Sequence, residues 1–189
     1  MKSTMRDQSL WGVLLLGTWL WLSACTVITP VPAQGSTEGF AIYLPAQKIA
    51  AAELLKTPLD TLQLEDKPII SLDDINAYSQ DTHTIALTPS GYERIRQLQV
   101  PTSGIPFVVC VNRQPIYPGA FWASYSSQSS KGAVIDTLPV EAGRSIRIQL
   151  GYPESHELFT GEDRRSDPRI LQSLQQAGKL KNVLPTRYK

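Results

Sequence analysis

Residues 107–111 read FVVCV, an unbroken apolar run rich in valine with an aromatic residue at its start. Phe and Val favour strands. A loop with Pro101, Gly104 and Pro106 precedes the run and polar Asn112-Arg113 follows it. That punctuation predicts a central strand, a turn and a return strand from Ile116 onward. The thiol in its middle, Cys110, has one other cysteine in the chain as a possible partner, Cys25. A free cysteine in a buried strand behaves as a small hydrophobe. Apolar burial also raises its pKa and blunts its reactivity. Cys110 is therefore expected to be inert core, the alternative being a catalytic thiolate.

The elements on either side follow from similar signals. FAIYL (40–44) reads as a first strand, and AQKIAAAELLK (46–56) is full of helix formers after Pro45. Leu62 and Leu64 alternate with polar neighbours as in a short strand, and residues 71–75 read as a turn. HTIALT (83–88) is a strand. Thr88-Pro89 then supplies an N-cap and a proline at the first helical position for SGYERIRQL, whose Tyr92, Ile95 and Leu98 share one face. AVIDTL (133–138) and RSIRIQL (144–150) are two more strands, Ile146, Ile148 and Leu150 facing one side of the second. Asp167-Pro168 caps a last helix over 169–177, ended by Gly178. Strands outnumber helices without alternating strictly with them. The expected fold is α+β, a mostly antiparallel sheet with two or three short helices on one face.

The chain begins MKSTMRDQSLWGVLLLGTWLWLSAC. Lys2 and Arg6 form a weakly positive start. Residues 10–22 are apolar except for Gly12, Gly17 and Thr18, too short to span a bilayer as a helix but right for an export signal. Leu22-Ser23-Ala24-Cys25 resembles the bacterial lipobox. In lipoproteins of that kind the cysteine is acylated and becomes the first residue of the mature chain. The resemblance implies a signal peptide over 1–24, a lipid on Cys25 and a tether over 25–38, whose TVITPVPAQGSTE is rich in Pro, Gly, Ser and Thr. A single domain over 39–189 follows, extracytoplasmic and attached to the cell membrane through that lipid. With Cys25 so occupied, Cys110 has no intrachain partner. Removing 1–24 takes away Lys2, Arg6 and Asp7 and leaves as many basic as acidic residues. A net charge near zero excludes a general nucleic-acid binder, which needs a basic footprint.

Signatures of chemistry are absent: no HExxH, CxxC, Gly-rich phosphate loop or GxSxG occurs. The chain has two histidines. His83 reads as a partly exposed turn residue. His156 lies in PESHEL, where Glu154 and Glu157 would be its partners in a metal site, although adjacent loop side chains rarely bind metal. GEDRRSDPR (161–169) reads as a loop knit by its own ion pairs, with Asp167 spent on capping. Neither cofactor nor metal is expected. The patch with binding potential is the return strand YPGAFWASY (117–125). On a period of two, Tyr117, Phe121 and Tyr125 share one face, and Ile116, Ala120 and Trp122 the other. Either both faces are covered, or one is an exposed hydrophobic surface that marks an interaction site.

Taken in order, KPIISLDDI, HTIALTPSGYERI, IPFVVCVNRQPIY and GAVI resemble the first periplasmic domain of SecD, an accessory protein of the Sec translocon. The matching residues are Asp74-Ile75, 87–91 and 107–117, within a span of 67–135. The usual Asp-Gly turn of that family is Asn112-Arg113 here, its transmembrane helices are missing, and GEDRRSDPR has no counterpart. The whole chain also resembles a set of bacterial lipoproteins that share the FAIYL and GAFW segments. These resemblances imply a SecD-like α+β fold and a non-enzymatic role in handling polypeptide. The expected function is a lipid-anchored binding module for a protein or peptide. The alternatives are a surface hydrolase with a site near 154–167 and a structural component of the envelope.

Overall fold

The computed structural model describes residues 38–137 and 143–181. Its strands are β1 (Phe40–Tyr43), β2 (Ile75–Ser79), β3 (Thr84–Leu87), β4 (Ile105–Val111), β5 (Gln114–Trp122), β6 (Ser130–Asp136), β7 (Ser145–Tyr152) and β8 (Leu180–Lys181). The helices are α1 (Ala51–Leu54), α2 (Pro89–Arg96) and α3 (Pro168–Gln176). All eight strands join one sheet in the order β1-β4-β5-β6-β7-β3-β2-β8. Its pairs are antiparallel except β5 with β6 and β2 with β8. The α+β class and the mostly antiparallel sheet are as expected. Among the described residues no helix is long and apolar enough to cross a membrane.

FVVCV lies in β4, which is second in the order rather than central, between β1 and β5. It is continuously apolar because both of its faces are covered. Phe107, Val109 and Val111 join the main core, and Val108 and Cys110 point the other way into a second cluster with Tyr43 and Leu54. The main core receives Ile95 from α2 and Ile170 and Leu174 from α3. The sheet curls enough to bring Phe40 of β1 to Tyr78 of β2, ring centroids 6.4 Å apart, although six steps of strand order separate them.

The expectation of helices on one face holds for α2 and α3 but not for α1, which lies on the other. The long helix expected over 46–56 is four residues, Ala51–Leu54. Before it the chain runs extended: Pro45 bridges Leu64, and the Ala46 N–H donates to Gln63 O at 2.8 Å. Good helix formers in so short a stretch gain little from propensity alone. The placement of Ile49, Ala51 and Leu54 against the outer face of the sheet decides the conformation instead. Of the short strand expected around Leu62 and Leu64, only Leu64 pairs, in a single bridge to Pro45.

Two strands have no counterpart in the sequence reading. β2 starts where only a turn is expected, after a 3-10 turn (Leu72–Asp74) closed by a capping box between Ser71 and Asp74. β8 is two residues beside β2. Other signals hold: Thr88 accepts from the Gly91 N–H at 3.2 Å, and Asp167 accepts from the Arg169 N–H at 3.0 Å. Asn112 and Arg113 both have positive φ, 51° and 60°, which matches a tight two-residue hairpin turn.

Candidate functional site

β5 carries the aromatic residues singled out from the sequence. Its pairing with β4 shifts between Val109 and Cys110, so that Ile116 is an extra, bulged residue. The bulge resets the alternation at that point. Ile116 joins Tyr117 and Phe121 in the main core instead of sharing the face of Ala120 and Trp122. Phe121 is 0 % and Trp122 4 % exposed, and Tyr117 is equally enclosed. Trp122 packs with Ala51 and Val134 and lies 6.0 Å from the Tyr152 ring, under the α1 side of the molecule. Both faces of the strand are thus covered, and no open aromatic face exists there. Gly119 is part of this packing, since a Cβ at that position would press into the Phe107 ring and lie 2.8 Å from the Ala133 carbonyl.

Tyr125 is different because β5 has already ended at Trp122. It is 66 % exposed, and its hydroxyl donates to Val100 O at 3.2 Å. Beside it the Ser126 hydroxyl donates to Thr102 O at 2.7 Å. These bonds fix the 123–129 connection against the loop before β4. Tyr125 forms one wall of a surface groove of about 460 Å³ with Leu98, Val100, Pro101 and Thr137.

The charged segment after β7 is a self-paired strap, as its composition implies. Arg165 holds Asp163 at 2.8 Å, and Asp167 takes Arg164 at 3.0 Å and Arg169 at 2.9 Å. Hydrogen bonds from Arg169 bring the Asp167 carboxyl down to about 2. Bonds from Arg165 likewise lower Asp163. Glu154 pairs with Arg147 of β7 at 2.8 Å. The strap is fastened to the sheet as well: Arg164 donates to the carbonyl of bulged Ile116 at 2.7 Å, and Arg165 to Ile148 O at 2.8 Å. The carboxylates that would serve a hydrolytic site at 154–167 are therefore each engaged by an arginine, apart from exposed Glu157. His156 is exposed, and no group of three His, Cys, Asp or Glu capable of holding a metal occurs among the described residues.

Sequence reasoning missed the setting of His83. It lies in a turn, with φ of 51°, and is partly exposed, both as expected; what was missed is its partners. The Tyr78 hydroxyl stands 2.9 Å from its Nδ1 and donates to Arg165 O at 3.2 Å. Burial, then the nearby Arg165 charge, hold the imidazole below its usual pKa. The signal lay in three separate segments, and only the fold joins them. Cys110 is a free, fully buried thiol, pushed up to about 12 by burial. Cys25, the signal segment and the tether up to residue 37 lie outside the described residues, as does Leu138 at the end of the expected 133–138 strand. Comparison with known proteins finds no matching family model, no matching curated protein and no matching solved structure.

Proposed function

We propose that the protein is an extracytoplasmic binding module, tethered to a bacterial membrane by lipid on Cys25, whose partner is a protein or peptide and which catalyses no reaction itself. The observation that carries the binding half is Tyr125. Among the described residues it is the one large hydrophobic side chain left exposed, and it stands at the mouth of a groove. Tyrosine offers a broad apolar face with a polar tip, a combination favoured at interfaces. The location half rests on the order of positive start, apolar segment, Leu-Ser-Ala-Cys and Pro/Ser/Thr-rich tether.

Two measurements test these halves separately. Mass spectrometry of the native protein should find Cys25 as a lipid-modified N-terminus; an unmodified N-terminus upstream of Cys25 removes the anchor. A photoreactive residue at position 125 should trap a defined protein in intact cells, and one at exposed Lys48 should not. Equal trapping at the two positions removes the binding surface.

We further propose that residues 67–135 have the fold of the first periplasmic domain of SecD. What supports this is the succession of capped α2, β4, the Asn112-Arg113 turn and β5 in the expected order. An experimental structure in which β4 and β5 fail to follow α2 as a hairpin of one sheet would overturn it.

A further inference from the structure

Residues 161–167 run from the β7 side toward α3 and are tied to three strands. Arg164 reaches the Ile116 carbonyl of β5, Arg165 the Ile148 carbonyl of β7, and the Arg165 carbonyl accepts from Tyr78 of β2. The third tie involves a histidine. Tyr78 has one hydroxyl proton, and a carbonyl oxygen can only accept, so that proton is committed to Arg165 O. His83 Nδ1, 2.9 Å from the same hydroxyl, must then be the donor. The relay runs His83 Nδ1–H to Tyr78 to Arg165 O, and leaves Nε2 as the basic nitrogen. His83 and Arg165 also grip the same residue of β7: the Ile148 N–H donates to His83 O at 3.0 Å, while Ile148 O accepts from Arg165.

The charges around His83 are few. The strap presents Arg165 and Asp163, the turn of His83 itself presents Asp81, and β2 presents Tyr78. Behind Tyr78 lies Tyr117 of β5, and β7 contributes the Ile148 backbone. Arg165 has an 11 % exposed side chain and a single carboxylate partner, Asp163. A proton on His83 would set a second cation beside it where water screens poorly.

We propose that His83 is a proton-operated latch. In both forms Nδ1–H donates to Tyr78; the proton added at Nε2 sets a cation against Arg165, competes with it for Asp163 and loosens residues 161–167 from β2 and β7. Loosening opens the cavity of about 210 Å³ beneath the strap, between Leu59, Pro118, Leu150 and Phe159. The lowered pKa of His83 accords with this, because it keeps the closed, neutral form populated near neutral pH.

Hydrogen–deuterium exchange of the full chain in detergent micelles tests the latch, with rates corrected for the intrinsic pH dependence of amide exchange. From about pH 7.5 to about pH 5, a window that extends well below the ordinary histidine value of about 6.5 because burial lowers His83, protection of the strap should fall by roughly threefold or more. Protection of α2 should hold. His83→Asn keeps a residue that tolerates positive φ but cannot take the proton, and its strap protection should be flat over the same window. Asp81→Asn removes a charge that favours protonation without touching the strap, so it should move the wild-type opening midpoint to lower pH. The proposal is overturned if wild-type strap protection stays flat, if His83→Asn opens like wild type, or if α2 opens together with the strap. Should His83→Asn not fold, an unchanged midpoint in Asp81→Asn overturns it alone.

Discussion

Cys110 shows how little a thiol's chemistry depends on its identity and how much on its place. Its Sγ lies 3.8 Å from Val108 O, among Ala41, Tyr43 and Leu54. Burial holds it as the neutral thiol at any physiological pH. Labelling with a water-soluble thiol reagent should be negligible in native buffer and complete in denaturant; rapid native labelling would refute the two-sided cover of β4. Phe121 and Trp122 carry the same argument to β5, one buried on each face. Phe121→Ala and Trp122→Ala should each lower unfolding free energy by about 3–5 kcal/mol. Tyr125→Ala should change it by no more than about 1 kcal/mol, the worth of its hydrogen bond to Val100 O. Urea melts of the three variants decide between a covered strand and an open one, and a neutral Trp122→Ala would place the outer cover in error.

Among the elements, those that announce themselves locally are the ones legible in the sequence. Thr88-Pro89 and Asp167-Pro168 put a side-chain acceptor and a proline where a helix must begin, and both helices start there. β7 alternates Ile146, Ile148 and Leu150 with polar residues, and the alternation survives in its burial. What was not legible depends on distant partners. Ala46 to Ala50 would suit a helix, but Ala46 and Gln47 meet Gln63 instead, beside the Pro45 bridge to Leu64. β2 and β8 are strands because they find each other and β3. The Ile116 bulge is invisible to a rule of two, and it moved one residue of the proposed binding face to the other side. His83 and Tyr78 are close in sequence, yet nothing local says that Arg165 will meet them. A locally written signal should also have a local cost. Thr88→Ala removes the cap of α2, and should destabilise the protein by about 1 kcal/mol. Thr88→Ser should restore most of it in the same thermal or denaturant melts. A Ser variant as unstable as the Ala variant would mean that packing, not the cap, sets the start of α2.

At the scale of the whole molecule, acid should weaken the fold in two steps, for two different reasons. Bonds from Arg165 lower Asp163, and bonds from Arg169 lower Asp167. For Asp74 burial alone would raise the carboxyl, but bonds from Arg94 and Ser71 outweigh it and the result is lower. Each carboxylate is ionised more readily in the folded chain than in the unfolded one, whose aspartates titrate near 3.9. Their contribution is therefore fully present well above that pH and is lost as pH falls through about 4 and below. His83 acts earlier. Its folded pKa also lies below the unfolded value of about 6.5. Between the two values the unfolded chain binds the extra proton, so stability drops as pH falls from about 7 through that window, then levels off. Urea midpoints measured from about pH 8 to about pH 3 should show the upper step in wild type and not in His83→Asn, whereas Asp74→Asn should shrink only the lower step. A wild-type midpoint that rises as pH falls below about 7 would reverse the sign required of His83 and show that it is held as the cation beside Asp163 and Asp81.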